Sequence, residues 1–226
     1  MLGFSNCDTG CVLSMNISYA ITVCDELKEL QRLVRILLGH IRGQDEIVIQ
    51  YDKPRSPTAL LDYLNVLART RKCVKVVPFA LQDDFAAFKN NLKTFCCGDY
   101  IFQIDADEYP STNLLANIHG ILDAHAEADV LVIARVNTVS GLTPDHVRKW
   151  RWRVDGNGWV NFPDPQARIY RNRDAIRWVN RVHEILTGDR IRIHLPQVAD
   201  LALMHPKTIE RQEKQNSFYD RLTKSP

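Results

Sequence analysis

The sequence lacks the features that mark several large classes of protein. No apolar run approaches the ~20 residues that span a bilayer, and no basic segment followed by a long apolar core opens the chain, which argues against a signal peptide. The chain also has no glycine-rich phosphate loop, no dinucleotide fingerprint, no zinc-protease motif and no Ser-His-Asp series. We therefore expect a cytoplasmic protein that associates with membranes at most peripherally.

Cysteine is sparse and the net charge is small. The six cysteines include no Cys-x-x-Cys pair, and a chain of 226 residues buries enough core to fold without disulfides, so free thiols are predicted. A net charge of +2 is too small to indicate nucleic acid as the main partner. Residues 1–15 are predicted to be a loose leader, and 16–226 a single domain in which the sequon at Asn16 stays unglycosylated.

What the sequence does contain is a regular alternation of apolar strand segments and helical segments up to residue 136. This alternation predicts an α/β fold with a mostly parallel central sheet flanked by helices. The helix after the third strand should begin near Asp83 and bury Phe85, Phe88, Leu92 and Phe95. The predicted strands are 17–23, 46–52, 74–78, 100–104 and 129–136.

The second half of the chain is less regular. Shorter strands are predicted at 167–171 and 176–185, and a charged terminal helix is predicted to start at Pro206. No repeat or flexible linker separates the halves. Residues 137–226 should therefore pack on 16–136 as a smaller part of the same domain.

The fourth predicted strand runs directly into three carboxylates, Asp105, Asp107 and Glu108. Because strand side chains alternate, Asp105 and Asp107 are predicted to project to the same side, about 7 Å apart. Like charges this close need a cation or hydrogen-bond donors, and carboxylates at a strand end suit Mg²⁺ or Mn²⁺. The alternative is a strand that ends in a solvated acidic turn.

Other polar groups are predicted at the same edge of the sheet. The segment 21–26 carries the first strand into a Cys-Asp-Glu turn, and Asp52 ends the second strand. The segment 88–91, Phe-Lys-Asn-Asn, precedes the Asp-x-Asp sequence at 105–107. Ligands of open α/β sheets bind outside the carboxyl ends of the strands, so these segments define a candidate site.

Two further segments complete a pattern. Residues 163–172 read Pro-Asp-Pro-Gln-Ala-Arg-Ile-Tyr-Arg-Asn, and His183-Glu184 follows. In order and spacing, all these segments resemble family 2 glycosyltransferases of the GT-A fold, including small bacterial and viral lipopolysaccharide-core-type members. Asp25 stands where the family has Asn, and Lys89 where it has Arg. The resemblance covers about residues 17–222.

The resemblance implies a Rossmann-like GT-A domain in which 16–136 bind a nucleotide-sugar and 137–226 receive the acceptor. It also implies Mn²⁺ or Mg²⁺ on the donor diphosphate, with Asp107 as the main ligand and Asp105 sharing the metal or reaching the ribose. His205 would add a ligand, or else be a structural histidine beside a helix start. Lys89 would lie near the diphosphate, or else be a solvated lysine on an outer helix face. The implied donor contacts are Thr22, Val23, Glu26, Asp52, Lys89, Asp105, Ala106 and Asp107.

Inverting transfer needs a base for the acceptor hydroxyl. Glu184 is the first candidate, because it follows an apolar strand in the half expected to hold the acceptor, and Asp164 is the second. Glu108 is a further possibility. Glu184 would alternatively form a salt bridge with one of the nearby arginines, which are Arg177, Arg181 and Arg190.

The segment 148–153 alternates basic residues with Trp150 and Trp152. Three interpretations are open. The segment binds nucleic acid by stacking, it lines a sugar acceptor site, or it is an amphipathic strand with buried tryptophans and solvated arginines.

Together these observations predict a metal-dependent inverting glycosyltransferase that moves a sugar from a nucleoside-diphosphate-sugar to a hydroxyl of a glycan or glycolipid. The alternatives are a nucleotidyltransferase on a similar sheet, and a catalytically silent sugar- or nucleic-acid-binding module.

Overall fold

The computed structural model describes residues 15–224, with side chains through residue 218. The leader predicted over 1–15 therefore lies almost wholly outside the described residues. The helices are α1 (Leu27–Leu38), α2 (Thr58–Thr70), α3 (Phe85–Lys93), α4 (Thr112–Ala124), α5 (Pro144–Trp150) and α6 (Ile209–Lys224). The strands are β1 (Ile17–Val23), β2 (Glu46–Asp52), β3 (Val74–Phe79), β4 (Tyr100–Asp105), β5 (Tyr109–Pro110), β6 (Val130–Ser140), β7 (Gln166–Arg171), β8 (Arg177–Val179), β9 (Ile185–Thr187), β10 (Arg192–His194) and β11 (Ala202–Thr208).

One mixed sheet organises the fold, with strand order β3-β2-β1-β4-β7-β6-β11-β5 and β10 paired to β6. Strands β1 to β4 run parallel to one another. The sheet then becomes mixed, because β7 is antiparallel to both β4 and β6, whereas β11 is parallel to β6. The α/β fold class predicted from the alternating segments is confirmed, and the sheet is only partly parallel.

Both faces of the sheet are covered. Tyr19 and Ile21 of β1 belong to the larger core, which also takes apolar side chains from α1, α2 and α4. Ala20, on the opposite face, packs with Leu92 of α3 in a smaller cluster. This alternation follows from the two-residue period of a strand buried on both faces. Phe95 lies beyond the end of α3 and is 42% exposed, so the prediction that it is buried was wrong.

Three elements of the second half differ from the predictions. The segment 176–185, predicted as a strand, is divided by a bend at 181–183 into β8 and the start of β9. Pro206 does not start a helix but lies inside β11, whose pairing with β6 keeps residues 202–208 extended, and α6 begins only at Ile209. The segment predicted as an amphipathic strand holds the end of α5 and the turn after it. Pro144 in the first turn and a Thr143–His146 capping box start that helix, which is why local capping overrides the alternating pattern.

Two expectations concern what the described residues contain. Cys24, Cys73, Cys96 and Cys97 are free, as predicted, whereas Cys7 and Cys11 lie outside the described range. Within residues 15–224, no helix combines the length and the apolar character needed to cross a membrane.

Candidate functional site at the carboxyl edge of the sheet

A cavity of about 1050 Å³ opens at the edge of the sheet where β1, β2 and β4 end. The parallel register of β1 with β2 and β4 brings these ends together, as expected for an open α/β sheet. Residues from β6, β7, β11 and α6 form the opposite wall. All the predicted site residues line this cavity: Thr22, Val23, Glu26, Asp52, Lys89, Asp105, Ala106, Asp107, Asp164, Glu184 and His205.

Asp105 is held by protein donors on both carboxylate oxygens. Its Oδ1 accepts from Thr22 Oγ1 at 2.8 Å and lies 3.6 Å from Lys89 Nζ, and its Oδ2 accepts from Arg168 Nη2 at 2.9 Å. Burial opposes ionisation of this carboxyl, but the charges of Arg168 and Lys89 outweigh it and hold the pKa of Asp105 well below its usual range. Asp105 is therefore a carboxylate whose oxygens are already engaged, and its role as a metal ligand stays a prediction.

The prediction that Asp105 and Asp107 belong to one continuous strand was wrong. Strand β4 ends at Asp105, and Asp107 lies in the turn that follows, so strand alternation does not reach it. The two side chains line the same cavity but have different partners. The turn is closed by Glu108, whose backbone N–H donates to the Asp105 carbonyl at 2.8 Å.

Asp107 faces three basic groups supplied by β11 and α6. Its Oδ2 lies 3.4 Å from His205 Nε2, 3.7 Å from Lys207 Nζ and 3.6 Å from Arg211 Nη2. Burial raises the pKa of Asp107, but the hydrogen bond and charge of His205 and the charge of Lys207 lower it more, so the net shift is downward. Asp107 is consequently ionised at neutral pH and sits at the point where cationic groups converge.

Asn137 determines which nitrogen of His205 carries the proton. The parallel register of β6 and β11 places Asn137 beside His205. The amide Nδ2 of Asn137 donates to the Asp164 carboxylate at 2.7 Å, so its Oδ1 is the atom 2.7 Å from His205 Nδ1. Because that oxygen only accepts, Nδ1 carries the hydrogen, and in a neutral ring Nε2 presents its lone pair towards Asp107.

This pair of donors fits a divalent cation. The Asp107 carboxylate oxygen and His205 Nε2, 3.4 Å apart, are at a separation that two ligands of one ion adopt when the nitrogen carries no proton. No group of three or more His, Cys, Asp and Glu side chains suited to a metal occurs among the described residues. Asp107 and His205 are therefore the two side chains considered for such an ion, and Lys207 and Arg211 approach the same Asp107 oxygen at 3.7 and 3.6 Å.

Lys89 and Glu184 form a buried pair beside Asp105. Lys89 Nζ donates to Glu184 Oε1 at 2.6 Å and lies 4.7 Å from the centre of the Trp178 ring. Lys89 is 4% exposed, so it is not a solvated lysine on an outer helix face. Glu184 does not pair with a nearby arginine, as the alternative proposed, but with this lysine.

Asp164 and Glu108 are held by arginines. Asp164 Oδ2 accepts from Arg135 Nε at 2.8 Å and from Asn137, and its Oδ1 accepts from Gln166 Nε2 at 2.9 Å. Burial raises the pKa of Asp164, but the charge of Arg135 and these hydrogen bonds lower it by more. The net shift of the pKa is therefore downward. Glu108 is 1% exposed and accepts from both Arg135 and Arg168, so it is unsuited to act as a base.

The turn after β1 closes the other end of the cavity. Glu26 Oε2 accepts from the backbone N–H of Cys24 at 2.7 Å and of Asp25 at 3.0 Å, while its Oε1 accepts from Arg211 at 2.8 Å. Asp52 is buried and accepts from the backbone N–H of Leu81 at 3.1 Å. These carboxylates lie where the resemblance places the nucleoside.

Sequence reasoning missed several polar residues of this site, and five of them contact Asp105, Asp107 or Asp164. Arg168 stands inside the segment 163–172 that carried the resemblance, and its position two residues after Gln166 on β7 was the available signal. The others gave no local signal, because each becomes part of the site only through pairing of β6 with β11 or docking of α6. They are Arg135, Asn137, Lys207 and Arg211.

Comparison with known proteins supports the fold. Sequence comparison finds no match among family models or curated proteins. Among solved structures, the chain matches residues 1–349 of Staphylococcus aureus TarS, a GT-A-type glycosyltransferase. The TM-score is 0.59 and the sequence identity is 15%, and the match covers 85% of this chain and 60% of the TarS chain. The same protein in complex with UDP-GlcNAc matches with a TM-score of 0.61 and 17% identity over 85% and 59%.

A third TarS structure, in complex with UDP, matches with a TM-score of 0.50 and 19% identity over 70% and 47%. The chain described here thus spans about 60% of the length of the TarS chains that it matches over most of its own length. At these identities the likeness establishes the GT-A fold.

Proposed function

We propose that the chain is a glycosyltransferase that moves a sugar from a nucleoside-diphosphate-sugar to a hydroxyl of a glycan or glycolipid, with inversion at the transferred carbon. The observation that carries the proposal is the pairing of Asp107 with His205 Nε2, 3.4 Å apart at the carboxyl edge of a GT-A sheet. The TarS complexes with UDP-GlcNAc and UDP support a uridine nucleotide as the donor's leaving group.

On the donor side, the chain would bind the nucleotide along the ends of β1, β2 and β4. Asp52 and Glu26 would accept hydrogen bonds from the nucleoside, and Thr22, Val23 and Ala106, which line the same cavity, would contact the donor. Binding there would require Glu26 to share or release Arg211, which now bonds it at 2.8 Å. The released guanidinium would then be available to the donor's negative charge.

Asp107 and His205 would hold Mn²⁺ or Mg²⁺, with Asp105 as the further candidate ligand. When bound, the ion would stabilise the negative charge that develops on the diphosphate leaving group. Lys207 and Arg211 reach the same carboxylate from the opposite wall, so the chain's own cations would add to that stabilisation.

Glu184 is the proposed base, ahead of Asp164. Within the described residues, the hydrogen bond to Glu184 reaches only Oε1, which leaves Oε2 for an acceptor hydroxyl. Asp164 has donors on both oxygens, and the lowered pKa that they produce makes it a weaker proton acceptor. Lys89, bonded to Glu184 and near Asp105, would orient the base towards the donor.

The test is a thermal-shift screen of nucleotides and nucleotide-sugars with and without Mn²⁺, because a ligand of the folded state raises its apparent stability. We expect UDP or a UDP-sugar to raise the melting temperature more with Mn²⁺ than without it. Asp107→Ala should abolish turnover while keeping the fold, and retained turnover would contradict the proposal. Release of pyrophosphate from a nucleoside triphosphate would instead identify a nucleotidyltransferase. Binding indifferent to Mn²⁺, with no sugar transfer or donor hydrolysis, would indicate a silent binding module.

A further inference from the structure

Aromatic side chains border the cavity at the end of α5. We define the aromatic ledge as His146, Trp150 and Trp152. The His146 and Trp150 rings stack with centroids 5.2 Å apart, and Trp150 and Trp152 lie 4.6 Å apart. Trp152 also lines the cavity, so the ledge is continuous with the proposed reaction site.

The local backbone explains how the ledge forms. Helix α5 ends at Trp150, and its C-cap residue Arg151 adopts the left-handed conformation with φ of 54°. The Trp152 N–H then donates to the Val147 carbonyl at 3.0 Å, which reverses the chain and returns Trp152 against Trp150. The rings are only half-buried, so they present apolar surface beside the cavity rather than filling a core.

Basic residues flank these rings along the chain, and Lys149 Nζ lies 5.9 Å from the centre of the Trp150 ring. Lys149, Arg151 and Arg153 are exposed, and no ion pair to any of them occurs within the described residues. Three acidic residues lie nearby: Asp145 pairs with Arg148, Asp155 accepts from backbone N–H groups of its own turn, and Glu213 Oε1 of α6 lies 3.7 Å from His146 Nε2. Four basic residues, with Arg148 included, thus stand against three acidic ones, so the segment that carries the ledge keeps a net positive charge.

We propose that the ledge binds the acceptor, and that the acceptor is a glycan carrying phosphate or carboxylate groups. The apolar face of a sugar ring would pack on Trp152 at the mouth of the cavity, as apolar surfaces pack on aromatic rings. The anionic groups of neighbouring sugars would meet Lys149, Arg151 and Arg153. This inference rests on the proposed glycosyltransferase function and names the acceptor class for the same site.

The test measures binding of three soluble oligosaccharides to the full chain by calorimetry and by tryptophan fluorescence. The probes are tetragalacturonate, a phosphorylated oligomannoside, and neutral maltotetraose. We expect at least one anionic probe to bind about tenfold more tightly than maltotetraose. Ion pairs with Lys149, Arg151 and Arg153 contribute up to ~1 kcal/mol each, and a tenfold difference in affinity needs only about 1.4 kcal/mol. Equal binding of charged and neutral probes, or no binding of either anionic probe, would overturn the proposal.

Variants localise the effect. The triple change Lys149→Gln, Arg151→Gln, Arg153→Gln should remove the preference for the anionic probe, whereas Trp152→Ala should weaken every probe and Trp152→Phe should restore most of the loss. The matched control is Arg69→Gln, Arg71→Gln, Lys72→Gln, which removes the same charge from an exposed stretch at the end of α2. An equal loss of the preference for the anionic probe in this control would overturn the assignment of the binding site to the ledge.

Other outcomes separate the two proposals. UDP affinity should be unchanged in the ledge variants, because none of these residues lies at the donor turn. Loss of the anionic preference with normal UDP binding supports the ledge, whereas a chain that binds the anionic glycan but no nucleotide would refute the transferase and leave the glycan site intact. Tighter binding of a single-stranded oligonucleotide, or of anionic phospholipid vesicles, than of any glycan would overturn the proposal.

Discussion

Asn137 Oδ1 lies 2.7 Å from Nδ1 of His205 and thereby sets the tautomer of a histidine that faces Asp107. The same amide donates to Asp164 at 2.7 Å, so it connects the proposed metal ligand with the acceptor-side carboxylate. A hydrogen bond to the ring nitrogen that faces away from a metal ion orients the imidazole and keeps the lone pair of the other nitrogen towards the ion.

Asn137→Ala should therefore weaken Mn²⁺ binding by about 10- to 100-fold, the usual cost of losing such a partner. Electron paramagnetic resonance titration of free Mn²⁺ measures this directly, without substrate. Asn117→Ala serves as the control, because Asn117 makes comparable side-chain bonds on the exposed face of α4. Unchanged Mn²⁺ affinity in Asn137→Ala would contradict the assignment of His205 as a ligand.

Glu184→Gln should lower kcat by about 10²- to 10⁴-fold, the contribution of a general base. The amide oxygen of Gln can still accept from Lys89, so the fold and UDP affinity should be kept. Asp164→Asn is the comparison variant and should retain more activity than Glu184→Gln. If the two effects were reversed, Asp164 would be the base.

Arg168→Met should destabilise the fold strongly. Arg168 is 4% exposed and its Nη2 bridges Asp105 and Glu108 at 2.9 Å each, so its removal leaves two carboxylates without their shared cation. Breaking a buried ion pair from one side costs about 3–5 kcal/mol of unfolding free energy, which urea titration measures. Arg148→Met, at an exposed pair with Asp145, should cost less than ~1 kcal/mol. A loss of comparable size in both variants would show that Arg168 is not the centre of the network.

Stability should fall on acidification partly through Asp164. Its folded pKa is lowered from the ordinary 3.8, so the unfolded chain binds the proton more readily. The stabilisation is thus fully present above the unfolded pKa and is lost as pH falls below about 4 through the folded value. Asp164→Asn should flatten the dependence of unfolding free energy on pH between pH 5 and pH 2, by up to ~1.4 kcal/mol per pH unit. Asp62→Asn, on the exposed face of α2, should leave the slope as in the parent chain.

Cys24 should resist alkylation. Burial, together with the nearby charges of Glu26 and Asp52, raises the pKa of its thiol to about 12. At pH 8 about one thiol in 10⁴ is then ionised, and only the thiolate reacts. Peptide mapping after iodoacetamide treatment should show modification of the exposed Cys97 well before Cys24. Faster labelling of Cys24 would indicate that the β1 turn opens in solution.

Local patterns were enough to predict the first half of the fold. The two-residue and helical periods of residues 17–136 are set by which side chains each element buries, so the strands β1 to β4 and their helices follow directly. Their parallel order also predicted that Asp52, Asp105 and the turn at Glu26 would share one edge. In the second half, the helix start at Pro206 and the amphipathic-strand alternative for 148–153 were wrong, because sheet pairing and helix capping outweighed the local pattern there.

The sequence by itself determined the α/β class and the acidic strand end. Only the tertiary structure decided which cations meet those carboxylates. Arg168 reaches Asp105 because β7 pairs with β4, and His205 reaches Asp107 because β11 pairs with β6 beside the turn after β4. Such contacts join residues 63 and 98 positions apart. Periodicity reports only which face a residue occupies within its own element, so it carries no information about partners across the sheet.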